Sequence, residues 1–198
     1  MPRGGLSFDV FLKKNGTGNY TYNVADLNEK TFNERVKALI DQIEKTITKL
    51  QSSGRIIEEF CIGKTFVQKL KKKQFDPTNE HTWKVGKGVG SRWRTTYEPE
   101  GFDGLVVLGA VSRQMLTDTR SSGERTCNTE DWDHQLYALA LESALICHYA
   151  FQAFDPRLAN RSLSPGNLQG RLSAGYVIYF AFKYEEEEDD TEAEEGTE

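Results

Sequence analysis

Residues 132–154 read as one helix that is apolar on nearly every face, with Leu136, Tyr137, Leu139, Leu141, Leu145, Ile146, Tyr149 and Phe151 spread around it. A helix apolar all round belongs in an interior. No other stretch constrains the fold as much, because the rest of the chain must then cover this helix on several sides. The pattern also isolates Glu142, the only acid between Asp133 and Asp155. A carboxylate taken out of water is costly unless it is neutralised, paired with a base or bound to a metal ion. Two readings follow: a structural ion pair with an internal base such as Arg113 or Arg171, or a carboxylate kept for chemistry.

The elements around that helix follow from local pattern. Alternation over residues 7–13, a turn at Asn15-Gly-Thr-Gly18 and resumed alternation over 20–24 predict a hairpin within residues 6–24. Residues 28–51 form an amphipathic helix whose stripe is Phe32, Val36, Leu39, Ile40, Ile43, Ile47 and Leu50, and Thr31 and Glu34 have capping-box spacing. Residues 55–64 read as a central strand, 91–97 as a short helix, 105–111 as a buried strand and 174–182 as a last strand. Residues 113–130 are polar loop. The sum is an α+β chain, a small mixed or antiparallel sheet flanked by helices. It divides into an N-terminal hairpin and helix (1–54) packed on a core (55–184), followed by a tail (185–198).

Charge sharpens the division. Residues 185–198 hold ten acids and no base, the composition of a disordered solvated tail. Without them, 25 bases face 20 acids, so the body is mildly basic. An acidic tail on a basic body suits competition with a polyanion for that body, as well as plain solubilisation. Cys61, Cys127 and Cys147 are odd in number and never form a CxxC pair, so they read as reduced thiols rather than disulfides or a zinc site. Residues 1–14 lack the apolar core and cleavage site of a secretory signal. The expected setting is therefore intracellular, nuclear or cytoplasmic, and the three Asn-x-Ser/Thr sequons at Asn15, Asn19 and Asn160 carry little weight. The longest apolar runs are too short or too interrupted to span a membrane.

Between Lys64 and Arg94 the chain carries nine bases against two acids, Asp76 and Glu80, with Phe66, Phe75, Trp83, Trp93 and Tyr97 interleaved. Bases set among aromatics suit phosphate neutralisation with occasional stacking; a solvated lysine loop is the plainer reading of 69–73. In Arg92-Trp93-Arg94 a short helix would turn one arginine into the fold, where its rigid fork suits a phosphate. Other motifs fail. Gly63-Lys64-Thr65 is no phosphate loop, since position 58 is Glu where glycine is needed. His81, His134 and His148 lie at no metal-ligand spacing, and no serine is set in a nucleophile elbow.

What remains is an ordered set: a strand ending in Cys61-Ile62-Gly63-Lys64-Thr65, a helix with Arg92-Trp93-Arg94-Thr95-Thr96-Tyr97, a buried strand, and a helix reading Leu141-Glu142-Ser143-Ala144-Leu145-Ile146. That order resembles the GIY-YIG nuclease superfamily. There a strand ends in Tyr-Ile-Gly, often followed by Lys-Thr. An arginine follows on the next helix, with a His or Tyr about four residues on, and a helix glutamate binds the one metal ion. The resemblance covers residues 55–150, roughly half the chain, and its specificity lies in order and spacing.

The resemblance implies a GIY-YIG-like core and a metal-dependent endonuclease acting on DNA. Glu142 would be the single protein ligand of a Mg²⁺ or Mn²⁺ ion, and Arg92 would stabilise charge on the scissile phosphate. Lys64 would hold the phosphate or lower the pKa of a neighbouring base, with Cys61 and Tyr97 at the remaining catalytic positions. Lys64, Lys69, Lys71, Lys72, Lys73, Lys84, Lys87 and Arg94 would meet the nucleic acid. The chain departs from the family at three places. Cys61 stands where the motif has tyrosine, no Gly-Ile-Tyr strand precedes it, and the residue four after Arg92 is Thr96, with Tyr97 one further. A second register, with Trp83-Lys84-Val85-Gly86-Lys87 as the motif strand and Arg94 as the arginine, matches fewer letters. These departures support a second expectation, a nucleic-acid-binding or interaction module that keeps the scaffold without turnover.

Overall fold

The structure, a computed structural model, describes residues 7–13, 16–21, 25, 27, 30–52, 54–69, 83–84, 88–112, 132–160 and 175–185. The predicted hairpin forms as β1 (Ser7–Lys13) and β2 (Gly16–Thr21), paired antiparallel. Helix α1 (Phe32–Gln51) starts at a capping box. The Thr31 hydroxyl accepts from the Glu34 amide at 3.4 Å, and the Glu34 carboxylate accepts from the Thr31 amide at 2.8 Å. Leu39, Ile43, Ile47 and Leu50 bury its apolar stripe. Then come β3 (Ile57–Lys69) and the short β4 (Trp83–Lys84). Helix α2 (Val89–Arg92) runs straight into a π-helical turn, Trp93–Tyr97. Strand β5 (Gly104–Ser112) follows, then α3 (Trp132–Cys147), which ends in its own π-helical turn (His148–Gln152), and finally β6 (Gly175–Tyr184). The chain is α+β, as expected.

The sheet order is β2-β1-β5-β6-β3-β4, with every neighbouring pair antiparallel. The last strand in sequence therefore lies inside the sheet, between β5 and β3. Its composition explains this: Tyr176, Ile178, Phe180 and Phe182 are buried on one face, and Val177, Tyr179 and Ala181 on the other. A strand apolar on both faces belongs between neighbours. Strand β3, read from sequence as central, is longer and more peripheral than expected. Its partner on the far side, β4, pairs only at Gln68↔Lys84 and Lys69↔Trp83. From Ile57 to Phe66 no described strand extends along that outer edge.

Two cores flank the sheet. On one face α1 and α3 cover Ile57, Phe60, Ile62, Ile178, Phe180 and Phe182. On the other, α2 and its π-helical turn bring Val89, Trp93 and Tyr97 onto Leu105, Val107, Val177, Tyr179 and Ala181. Helix α3 corrects the sequence reading. Leu136 is 48% exposed, Phe151 57% and, just past the helix, Phe154 74%. The helix lies on one face of a sheet with α1 beside it, so one side is buried and its apolar pattern overstates how much. At its end the Tyr149 hydroxyl donates to Glu44 of α1 at 2.6 Å, tying the two helices together. No helix among the described residues is long and apolar enough to cross a membrane.

Candidate functional site

The outer edge of β3 is the place to start, because every second peptide group there needs a partner. Phe60 finds backbone: its N–H donates to the Arg157 carbonyl and its carbonyl accepts from the Ala159 N–H, both at 2.8 Å. Ile62 finds a side chain. The Asn160 carboxamide accepts from the Ile62 N–H and donates to the Ile62 carbonyl, again both at 2.8 Å. Lys64 finds a carboxylate: its N–H donates to Glu142 Oε1 at 3.0 Å. At Phe66 the carbonyl faces the bare Cα of Gly88 at the start of α2, where a Cβ would lie 2.0 Å from the oxygen.

Glu142 thus stands at the sheet edge, delivered by α3 and 8% exposed. Its second oxygen, Oε2, is buried without a hydrogen-bond partner among the described residues. Burial raises its carboxyl to about pH 7 against the pull of the Lys64 ammonium, the Lys64 N–H and the Arg92 charge. Lys64 is itself buried, which lowers its ammonium pKa. The nearby carboxylate opposes that fall and Arg92 adds to it. The Lys64 ammonium also lies 5.7 Å from the centre of the Tyr176 ring.

Arg92 corrects another expectation. Neither Arg92 nor Arg94 turns into the fold; both are exposed, and the residue between them, Trp93, is buried. A four-residue helix anchored by Val89, Gly90 and Trp93 leaves the arginines on its outer side. Arg92 is still close enough for its charge to reach Glu142, Lys64, Tyr97 and Tyr179. Arg94 folds back over its own helix, with Nη1 3.7 Å from where a Cβ on Gly90 would be. Of the two arginines, Arg92 is the one whose charge reaches the Glu142 carboxyl.

Through the sheet from Glu142 lies a pair of phenols. The Tyr97 and Tyr179 hydroxyls are 3.1 Å apart and buried, and burial, then the mutual contact, raises Tyr97 well above its ordinary range. Burial likewise pushes Tyr179 up to about 12, against the Tyr97 hydrogen bond and the Arg92 charge. Tyr179 lies opposite Gly63 in the β3–β6 register, and a Cβ at Gly63 would sit 2.3 Å from its hydroxyl. Glycine is needed there to make room for the ring. Cys61 packs against the same core. Tyr97 reaches this place because the π-helical turn widens the backbone at Trp93–Tyr97.

Six residues thus come together around one stretch of β3: Cys61, Lys64, Arg92, Tyr97 and Glu142, which the sequence pointed to, and Tyr179, which it did not. Asn160 was legible only as a sequon; its amide is engaged on both sides by Ile62. Of the expected nucleic-acid contacts, Lys69 ends β3 and Lys84 ends β4. Lys71, Lys72, Lys73 and Lys87, together with Arg113, Arg171, Cys127 and the acidic tail beyond Glu185, lie outside the described residues. Among the described residues no group of three or more His, Cys, Asp or Glu gathers to hold a metal. A single carboxylate completed by water and substrate oxygen is ordinary for magnesium. The orphaned Oε2 fits such a cation, and among the described residues no second acid joins it.

No protein-family model, curated protein or solved structure matches this chain.

Proposed function

We propose that this chain is a metal-dependent phosphodiesterase acting on DNA, built on a GIY-YIG-like core in an intracellular setting. The observation that carries the reading is Glu142, buried, anchored through one oxygen to the Lys64 N–H, and left with the other oxygen facing no partner among the described residues. A purely structural carboxylate would be expected to use both oxygens. When bound, a Mg²⁺ or Mn²⁺ ion supplies electrostatic stabilisation of the leaving 3′ oxygen.

In this reading the protein's own residues divide the work. Exposed Arg92, held by buried Trp93, presents a planar fork to a phosphate while its charge still reaches the Glu142 carboxyl. The buried Lys64 ammonium adds a second positive charge beside that carboxyl. The phenols missing ahead of Cys61 have a spatial counterpart. Val177-Ile178-Tyr179 on β6 runs alongside Gly63-Lys64-Thr65, so the neighbouring strand of the motif would come from the other end of the chain. In this reading the Tyr179–Tyr97 pair takes the place of the phenol that Cys61 lacks, orienting water toward the phosphate.

Incubating the protein with supercoiled plasmid and Mn²⁺ or Mg²⁺ tests this. Wild type should nick, and Glu142→Ala should lower the rate by about 10³-fold, as loss of a group that stabilises transition-state charge does. Chelation with EDTA should abolish nicking. Cys61, a thiol where the motif has a phenol, favours one other reading, a nucleic-acid-binding module without turnover. Equal plasmid binding by wild type and Glu142→Ala, with nicking by neither, would establish that reading instead.

A further inference from the structure

We propose that Asn160 is a positioning residue for Glu142, fixing the free edge of β3 one step before the Lys64 N–H; this rests on the reading of Glu142 as a metal ligand. The argument begins with the way the edge is closed. After the Asp155–Arg157 turn, braced by the Arg157 guanidinium on the Asp155 carboxylate at 2.6 Å, the chain runs parallel to β3 for a single bridge, Phe60↔Leu158. Continued backbone pairing would carry that segment past Ile62 to Lys64. It would then occupy the N–H that Glu142 uses and crowd the space at Oε2.

At Ile62 the edge is closed by a side chain. One carboxamide satisfies both the N–H and the carbonyl of Ile62, so no further backbone is needed alongside β3. Ile62 is left with no unpaired group to compete for the carboxylate. The next outward donor, the Lys64 N–H, stays open for Glu142 Oε1. Among the side chains only Asn and Gln offer a neutral donor and acceptor together in this way, and Asn does so with the shorter arm. Both of these Asn160 hydrogen bonds go to the Ile62 backbone, so it acts through β3. Partners that hold a ligating carboxylate in place are worth 10- to 100-fold in metal affinity, and one step further back the low end applies.

Two readouts on the full chain decide the matter, with Asn160→Ala and Asn160→Asp as variants. Aspartate keeps the acceptor for the Ile62 N–H and loses the donor to its carbonyl, so it retains more of the edge should alanine fold poorly. The first readout is amide hydrogen exchange, which needs no metal. The Lys64 amide should exchange at least tenfold faster in both variants, and the Ile62 amide in the alanine variant, while the backbone-paired Phe60 amide keeps its protection. The second is the Mn²⁺ concentration for half-maximal plasmid nicking, which should rise about tenfold, with the wild-type rate recovered at saturating Mn²⁺. Unchanged Lys64 exchange and unchanged Mn²⁺ requirement, even with a lowered Tm, would make Asn160 a structural residue only and overturn the proposal. Should wild type neither nick nor respond to Mn²⁺, the metal-ligand reading falls, and with it the functional role given to Asn160. Lys64 exchange would still report whether the amide sets the Glu142 contact.

Discussion

Strand β3 has two edges, and they are finished by different means. Toward β6 the pairing is backbone to backbone, from Ile57↔Tyr184 to Val67↔Gly175, irregular only between Ile57 and Glu59. On the outer edge Phe60 meets backbone, Ile62 an amide side chain, Lys64 a carboxylate and Phe66 a bare glycine Cα. The inner ladder is generic, since any residue but proline brings the groups it needs. The outer edge is spelled out residue by residue. A side chain that completes a strand edge has atoms left over when the backbone is satisfied, and Oε2 of Glu142 is such an atom. A sheet edge closed in this way can hold a reactive group on a rigid frame, where an inner strand has no room for one.

The harshest way to break the outer edge is at Gly88. A Cβ there would lie 2.0 Å from a backbone oxygen, Phe66 O, which cannot swing away as a flexible side-chain tip can. Gly88→Ala should lower stability by about 3 kcal/mol in urea unfolding, the upper range for overpacking. It should also move Arg92 away from Glu142. Gly90, two residues on, is the control, because its added Cβ would meet only Arg94 Nη1, at 3.7 Å. Gly90→Ala should be neutral or stabilising by up to ~1 kcal/mol, since alanine is the better helix former. Equal tolerance at both positions would mean that α2 gives way freely and that the outer edge is no fixed frame.

The next largest effect belongs to Glu142 itself. Its folded carboxyl titrates at about 7, above the ordinary 4.5, because of burial. The folded protein therefore holds this proton more tightly than the unfolded chain does. The penalty is absent below pH 4.5, grows as pH rises from 4.5 to 7, and is complete above 7. Glu142→Gln keeps the acceptor for the Lys64 N–H and removes the charge, so at pH 8 it should be more stable than wild type by about 2 kcal/mol. The value of about 7 already contains the attraction to Lys64 and Arg92; relaxation around the buried charge trims the gain, and the gap should close near pH 4.5. Denaturant unfolding at pH 5, 7 and 8 measures it. A Gln variant less stable than wild type at pH 8 would show that the ion-pair contribution outweighs burial, and Glu142 would then be structural.

What the sequence made legible was local. The hairpin of β1 and β2, the capping box at Thr31 and Glu34, the apolar run that becomes β5 and the anomaly of Glu142 each depend on neighbours within a few residues. The misread features depend on distant partners. Strand β6 looks like a plain last strand until Ile178 and Tyr179 are found opposite Lys64 and Gly63, more than a hundred residues earlier. The hydrogen bond that holds Glu142 comes from a backbone N–H, which leaves no mark in sequence. Asn160 bonds backbone too, and so showed only as a sequon. The exposure of Leu136 and Phe151 turns on which sides of α3 the sheet and α1 cover, and helical periodicity cannot see that when nearly every position is apolar.

The smallest effect tests the inner side. Tyr179→Phe removes one hydroxyl and its 3.1 Å contact with Tyr97, and nothing on the outer edge changes. It should lower stability by about 1 kcal/mol at neutral pH, the usual net worth of one buried hydrogen bond. Burial holds the Tyr179 phenol neutral up to about 12, so wild type should lose stability as pH rises above 10, where the unfolded phenol ionises. Phenylalanine cannot lose it by that route, so the variant's deficit should shrink and then reverse above pH 10. If the phenol pair only packs, the variant nicks plasmid at the wild-type rate with this stability profile intact. If it orients water, nicking falls by 10²-fold or more although the fold has lost only about 1 kcal/mol. A split of that size between rate and stability would put chemistry on both sides of β3, with the carboxylate at its edge and the phenols beneath.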